Sequence, residues 1–125
     1  MADECPIKLQ IAFNDPVLDD EEREGEVQKL LNELKQLDEV ENVERVRDPN
    51  PPEGNKALGG FLVGMLMAEV KFANLRKLFG FLHDRLSGKI IELHVEVNGK
   101  KLRVKARSQA ELAAAIAAAQ QFIAA

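Results

Sequence analysis

The chain has no tryptophan, no tyrosine and one cysteine. Any stacking of aromatic rings on nucleic-acid bases would therefore fall to its six phenylalanines alone. A lone Cys5 excludes an intrachain disulfide and an all-cysteine metal site, and it suits a reducing cytoplasm. Basic residues do not predominate either. Seventeen Lys and Arg against 21 Asp and Glu leave a formal charge of -4, which argues against bulk attraction to nucleic acid or anionic lipid. A local basic patch stays open. The start, Met1-Ala2-Asp3-Glu4-Cys5, carries acid where a secretory signal needs base. The most apolar stretch, Leu58 to Ala68, is followed by Glu69 and Lys71, and falls short of the ~20 apolar residues of a membrane-spanning helix.

What remains is a 125-residue chain, 46% hydrophobic and 30% charged, which suits a single globular domain over 1–125. Ile7, Leu9, Ile11 and Phe13 alternate with Lys8, Gln10 and Ala12, the period of a half-buried strand. After Asn14-Asp15-Pro16, the acids Asp19 to Glu22 offer a capped, dipole-matched helix start. Val27, Leu30, Leu31, Leu34 and Leu37 then stripe one helical face. A second strand is expected over Val43–Arg47, although Val40, Val43 and Val46 are spaced by three. Residues 48–56, with Pro49, Pro51 and Pro52, read as an exposed loop, and residues 1–5 as a frayed end.

Leu58 to Leu86 reads as mostly helical, with a break near Asn74. Leu75, Leu78, Phe79, Leu82 and Leu86 form its clean stripe. Phe61 to Ala68 is apolar all round, and a buried strand is the competing reading there. The row Gly60, Gly64 and Ala68 would let a second helix approach closely. Ile91, Leu93, Val95 and Val97, then Asn98-Gly99, then Leu102, Val104 and Ala106 predict a hairpin with a type I′ turn. Its register pairs Val97 with Lys100, Glu96 with Lys101, His94 with Arg103 and Glu92 with Lys105. Ser108 and Glu111 have capping-box spacing before a final alanine-rich helix. The expectation is an α+β domain, order β-α-β-α(α)-β-β-α, with about four strands, three or four helices, and the helices largely on one face. Ile7, Leu9, Ile11, Leu30, Leu34, Leu66, Leu78, Leu82, Leu93, Val95, Val104 and Ile116 are its predicted core.

Chemistry is sparse. Cys5 with His83 or His94 could in principle form a nucleophilic pair, but no orienting context accompanies them. Two separated histidines and one cysteine do not supply a zinc site. The acids between Asp19 and Glu24 lack the alternating oxygen ligands of a calcium loop, and capping explains them better. Gly59-Gly60 and Gly64 are not followed by the Lys-Ser or Lys-Thr of a phosphate loop. No catalytic residue, cofactor or metal is expected. Lys100, Lys101, Arg103, Lys105 and Arg107 form a basic strip on one hairpin strand. Glu92 and Glu96 offset it, so cross-strand pairing is the plain reading and nucleic acid is not expected. The residues singled out for a protein partner are Phe61, Met65, Met67, Lys101, Arg103 and Lys105. Phe61, Met65 and Met67 come from the apolar segment, taken as a helix needing a second subunit or partner to cover it.

The cadence over most of the chain adds a resemblance. It runs from Leu30-Leu31-Asn32-Glu33-Leu34 through Asp38-Glu39-Val40-Glu41-Asn42-Val43-Glu44-Arg45-Val46 and a Pro-rich loop to Lys56-Ala57-Leu58-Gly59-Gly60. An amphipathic helix, the strand Ile91-Glu92-Leu93-His94-Val95-Glu96-Val97-Asn98-Gly99 and the helix opened by Ser108-Gln109-Ala110-Glu111 complete it. This order resembles the bacterial effector-associated constant component family. Those are small proteins encoded in cyanobacterial and actinobacterial conflict loci, beside caspase-like and trypsin-like peptidases and signalling NTPases. The resemblance implies a non-enzymatic, cytoplasmic adaptor whose partners are proteins such as peptidase or NTPase effectors. A stand-alone homo-oligomeric module, such as a homodimer, or a membrane-surface module is the alternative.

Overall fold

The computed structural model describes residues 7–47 and 61–124, and of Phe61 the backbone only. Cys5, the frayed end expected over 1–5 and the loop expected over 48–56 lie outside the described residues. The elements are β1 Ile7–Phe13, α1 Asp20–Lys35, β2 Val40–Arg47, β3 Phe61–Val70, α2 Leu75–Leu86, β4 Ile91–Val97, β5 Lys100–Ala106 and α3 Gln109–Ala124. A 3-10 turn, Phe72–Asn74, leads into α2 at the expected break.

The five strands form one antiparallel sheet in the order β2-β3-β1-β4-β5. The chain leaves β1 through α1 to reach β2, with β3 lying between them. It leaves β3 through α2 to reach β4, with β1 between. Two interleaved crossovers of this kind are the split βαβ, or ferredoxin-like, arrangement. The β5 strand and α3 extend it at one side.

All three helices cover the same face. Ile7, Leu9, Ile11 and Phe13 of β1, Leu66, Ala68 and Val70 of β3, and Ile91, Leu93 and Val95 of β4 join one core with the buried stripes of α1, α2 and α3. Every residue of the expected core is buried except Val104, which is partly buried on the edge strand β5. Alanines at 115 and 119 let α3 lie close against β5 and β4, as its composition suggests.

The helix starts follow their sequence signals. Asp19 caps α1 in a full capping box: Glu22 N–H donates to Asp19 Oδ1 at 2.7 Å, and Asp19 N–H to Glu22 Oε1 at 3.0 Å. At α3, Glu111 N–H donates to Ser108 Oγ at 3.2 Å, while Glu111 Oε1 accepts from Arg107 N–H instead of the Ser108 amide. The hairpin register is the one expected, pair for pair. Asn98 and Gly99 take φ of 50° and 79°, the positive values a type I′ turn needs.

Phe61–Val70 is a strand, not a helix. In a strand the inward Leu66, Ala68 and Val70 meet the core, while Met65 and Met67 point to the other face. Both sets are apolar, so the period of two is invisible in the sequence. Gly64 and Ala68 of the glycine row therefore lie on a strand and not on a helix-packing stripe, while Gly60 lies outside the described residues. Gly64 has φ of +72°, and a Cβ there would come within 3.2 Å of Arg23 Cβ and 3.4 Å of the Phe13 carbonyl oxygen. Gly64→Ala is expected to lower stability by roughly 1–2 kcal/mol, from the left-handed backbone alone. Urea unfolding checks this, and an unchanged midpoint would show that the kink is not needed.

The spacing of three in β2 has a physical reason. The pairing slips between Val40 and Asn42, so Val40 faces Val70 and Val43 faces Ala68 although the two valines are three positions apart and their partners two. An inserted residue of this kind is a bulge, which keeps both valines on the core side. A second irregularity separates Arg45 from Arg47.

Candidate functional site

The face of the sheet opposite the helices carries a different population. On β1 it shows Lys8 and Gln10; on β3, Met65 and Met67; on β4, Glu92, His94 and Glu96; on β5, Lys101, Arg103 and Lys105. None of these belongs to the core. Antiparallel register sets them in rows: Glu69, Lys8, Glu96 and Lys101 in one, Glu44, Met67, Gln10, His94 and Arg103 in the next, then Met65, Ala12, Glu92 and Lys105.

Glu92 is the hub of this face. At 9% exposure it is the one buried charged residue among those described. Its position explains the burial: β4 is flanked by β1 and β5, whose outward side chains close over it. Burying a carboxylate costs free energy unless each oxygen is partnered. Asn14 Nδ2 donates to Oε2 at 3.0 Å. His94 Nε2 lies 2.6 Å from Oε1 and Arg103 Nε 3.2 Å from the same atom. A carboxylate oxygen only accepts, so Nε2 is the protonated ring nitrogen of His94 in this contact. Arg103 thus reaches Glu92 on the diagonal, where the register places Lys105 directly opposite. Glu96 and Lys101 approach at 3.7 Å. Beside this network lies a depression of about 490 Å³, lined by Lys8, Gln10, Leu62, Met65, His94, Val95, Glu96, Lys101, Leu102 and Arg103.

A second polar cluster sits on the helical side and holds the Gly64 kink. Glu24 Oε1 accepts from Gly64 N–H at 2.8 Å and from an Arg45 guanidinium nitrogen at 2.6 Å. Arg45 also donates to the carbonyls of Met65 and Leu62. These contacts tie the β3 backbone at Gly64 to α1 and β2.

Of the residues singled out from sequence, Met65, Met67, Lys101, Arg103 and Lys105 fall on the same open face, on strands separated by β1 and β4. The side chain of Phe61 lies outside the described residues. The original ground for choosing Met65 and Met67 does not survive, because a strand has no full circumference to cover. What replaces it is their outward position on β3. Glu92, Gln10, Asn14 and Leu62 were missed. Glu92 sat at an outward hairpin position and read as solvated; only knowledge that β4 is an inner strand would have marked it. His83 is on the α2 surface, 3.7 Å from Asp84. Among the described residues no group of three or more His, Cys, Asp and Glu is arranged to hold a metal ion. Among them, too, no helix is long and apolar enough to cross a membrane.

Comparison with protein-family models, curated proteins and solved structures returned no match. The functional reading therefore rests on this chain's own residues and on the resemblance its sequence carries.

Proposed function

We propose that the protein is a non-enzymatic interaction component of a bacterial conflict or signalling system, acting in the cytoplasm, and that its open sheet face receives a protein partner. The observation that carries this reading is the asymmetry of the sheet. One face is covered by three helices, while the other presents Met65 and Met67 on β3 and, across β1 and β4, a basic column, Lys101, Arg103 and Lys105, with the hydrogen-bonded Glu92 between them. Methionine adapts to varied surfaces, and a cationic rim steers association with acidic patches. A nucleic-acid role is less well supported, because the described side chains of this face include no Phe, Tyr or Trp for base stacking, and the His94 imidazole is hydrogen-bonded to Glu92. The resemblance to effector-associated constant components suggests peptidase or NTPase partners.

Affinity purification of the tagged protein from its own host tests this. The expected result is enrichment of a peptidase or NTPase encoded beside it. Enrichment no greater than for an unrelated small acidic protein would refute the proposal.

A further inference from the structure

The chain carries a formal charge of -4, yet the depression of about 490 Å³ on its open face has the opposite sign. Lys8, Lys101 and Arg103 line it against one carboxylate, Glu96, so positive charge is in excess. These cations keep free donors. Among the described residues Lys8 makes no ion pair, although the register sets it between Glu69 and Glu96. Lys101 is largely exposed and stands 3.7 Å from Glu96. Arg103, also largely exposed, gives Nε to Glu92 at 3.2 Å, which leaves its two terminal nitrogens for another acceptor. The other end of the depression is apolar, bordered by Leu62 and Met65 of β3. Strict alternation would send residues three apart to opposite faces. Gly64, with φ of +72° between them, breaks the alternation and lets both border one hollow.

We propose that this depression binds a small amphiphilic anion, a carboxylate carried on an unbranched apolar chain. Its head group lies on Lys8, Lys101 and Arg103, and its chain lies along β1 toward Leu62 and Met65. The excess of cations selects the charge of the head group. The register sets the length: Lys8 is level with Glu69, four residues along β3 from Met65, or about 14 Å at the rise of a strand. Gln10 and His94 lie between the two ends, with the His94 ring anchored to Glu92 through Nε2. A volume of about 490 Å³ falls within the ~300–1,000 Å³ of small-molecule sites. Met67 and Lys105 lie outside the lining, so the site goes beyond the protein partner proposed above and holds or fails apart from it.

Calorimetric titration of the full chain with decanoate, kept below its micelle-forming concentration, is the first test. One saturable site is expected, weakening as salt rises. Decyltrimethylammonium has the same chain and the opposite charge, and should bind roughly ten-fold more weakly or worse. Lys8→Gln with Lys101→Gln alters two exposed positions clear of the Glu92 contacts and should weaken decanoate by roughly ten-fold. Met65→Gln, at the apolar end, should weaken it as well. The absence of a saturable site would overturn the proposal, and so would equal binding of the cationic analogue or indifference to both variants. Amide NMR of the unaltered protein gives a reading that needs no variant. Shifts on adding decanoate should centre on Lys8–Gln10, Leu62–Met65 and the β4–β5 hairpin, and shifts confined elsewhere would equally overturn it. Binding to phosphatidylglycerol vesicles without binding of dispersed decanoate would move the contact to a membrane surface and refute the site.

Discussion

Replacing Leu93 with alanine should lower the free energy of unfolding by about 2–5 kcal/mol, read from chemical denaturation. Leu93 is 3% exposed at the middle of β4. Its backbone pairs with Ile11 on one side and Val104 on the other, so its side chain is walled in on the core face. Truncation removes buried methyl groups and leaves a cavity that neighbouring strands cannot close without breaking their register. Lys101→Ala, on the opposite face and mostly in water, serves as the control and should move stability by no more than about 0.5 kcal/mol. A Leu93 loss below about 1 kcal/mol would mean that the two faces of the hairpin had been interchanged.

The second large effect is expected at Glu24. Glu24→Ala leaves the Gly64 amide without its acceptor and removes the Glu24 contact of the Arg45 guanidinium. Their side chains, 16% exposed for Arg45 and 21% for Glu24, keep some access to water, which moderates the loss. A cost of about 1–3 kcal/mol follows from one unsatisfied amide together with the lost charge-assisted hydrogen bond to Arg45. A double-mutant cycle with Arg45→Met should show coupling of about 1 kcal/mol or more, because both side chains serve one contact. Strict additivity would mean that each acts through separate neighbours.

These two sites mark what the sequence made legible and what it hid. Leu93 could be placed from the chain alone: strict alternation and an Asn-Gly turn define the hairpin, and a slip of one residue would put its apolar set into water. The α2 stripe, Leu75 to Leu86, was equally plain, since five apolar residues at helical spacing admit one buried face. The β3 strand was hidden for the opposite reason. When outward Met65 and Met67 are as apolar as inward Leu66 and Ala68, no period survives to separate strand from helix. β2 was half legible, because a bulge turned a spacing of two into three. Local reading did not mark Glu24 or Glu92. Glu92 has near partners in His94 and Arg103 of its own hairpin, but the contacts of the two acids also reach 40 positions away to Gly64 and 78 positions away to Asn14, which only the sheet order brings together. Both looked like ordinary solvated acids within their own segments. The open face likewise became visible only once all three helices were seen to lie on one side.

The central claim is that this face, opposite the described helices, and not the helical side, receives the partner. It is tested most directly by measuring partner retention for matched surface variants whose melting temperatures stay within a few degrees of wild type. Met67→Lys with Lys101→Ala alters the open face while leaving Glu92 and its partners in place. Lys29→Ala with Gln28→Ala alters exposed positions of α1 on the other side. The account predicts that the first variant loses most of the captured partner and that the second retains it. Full retention by the open-face variant, or loss confined to the α1 variant, would contradict it.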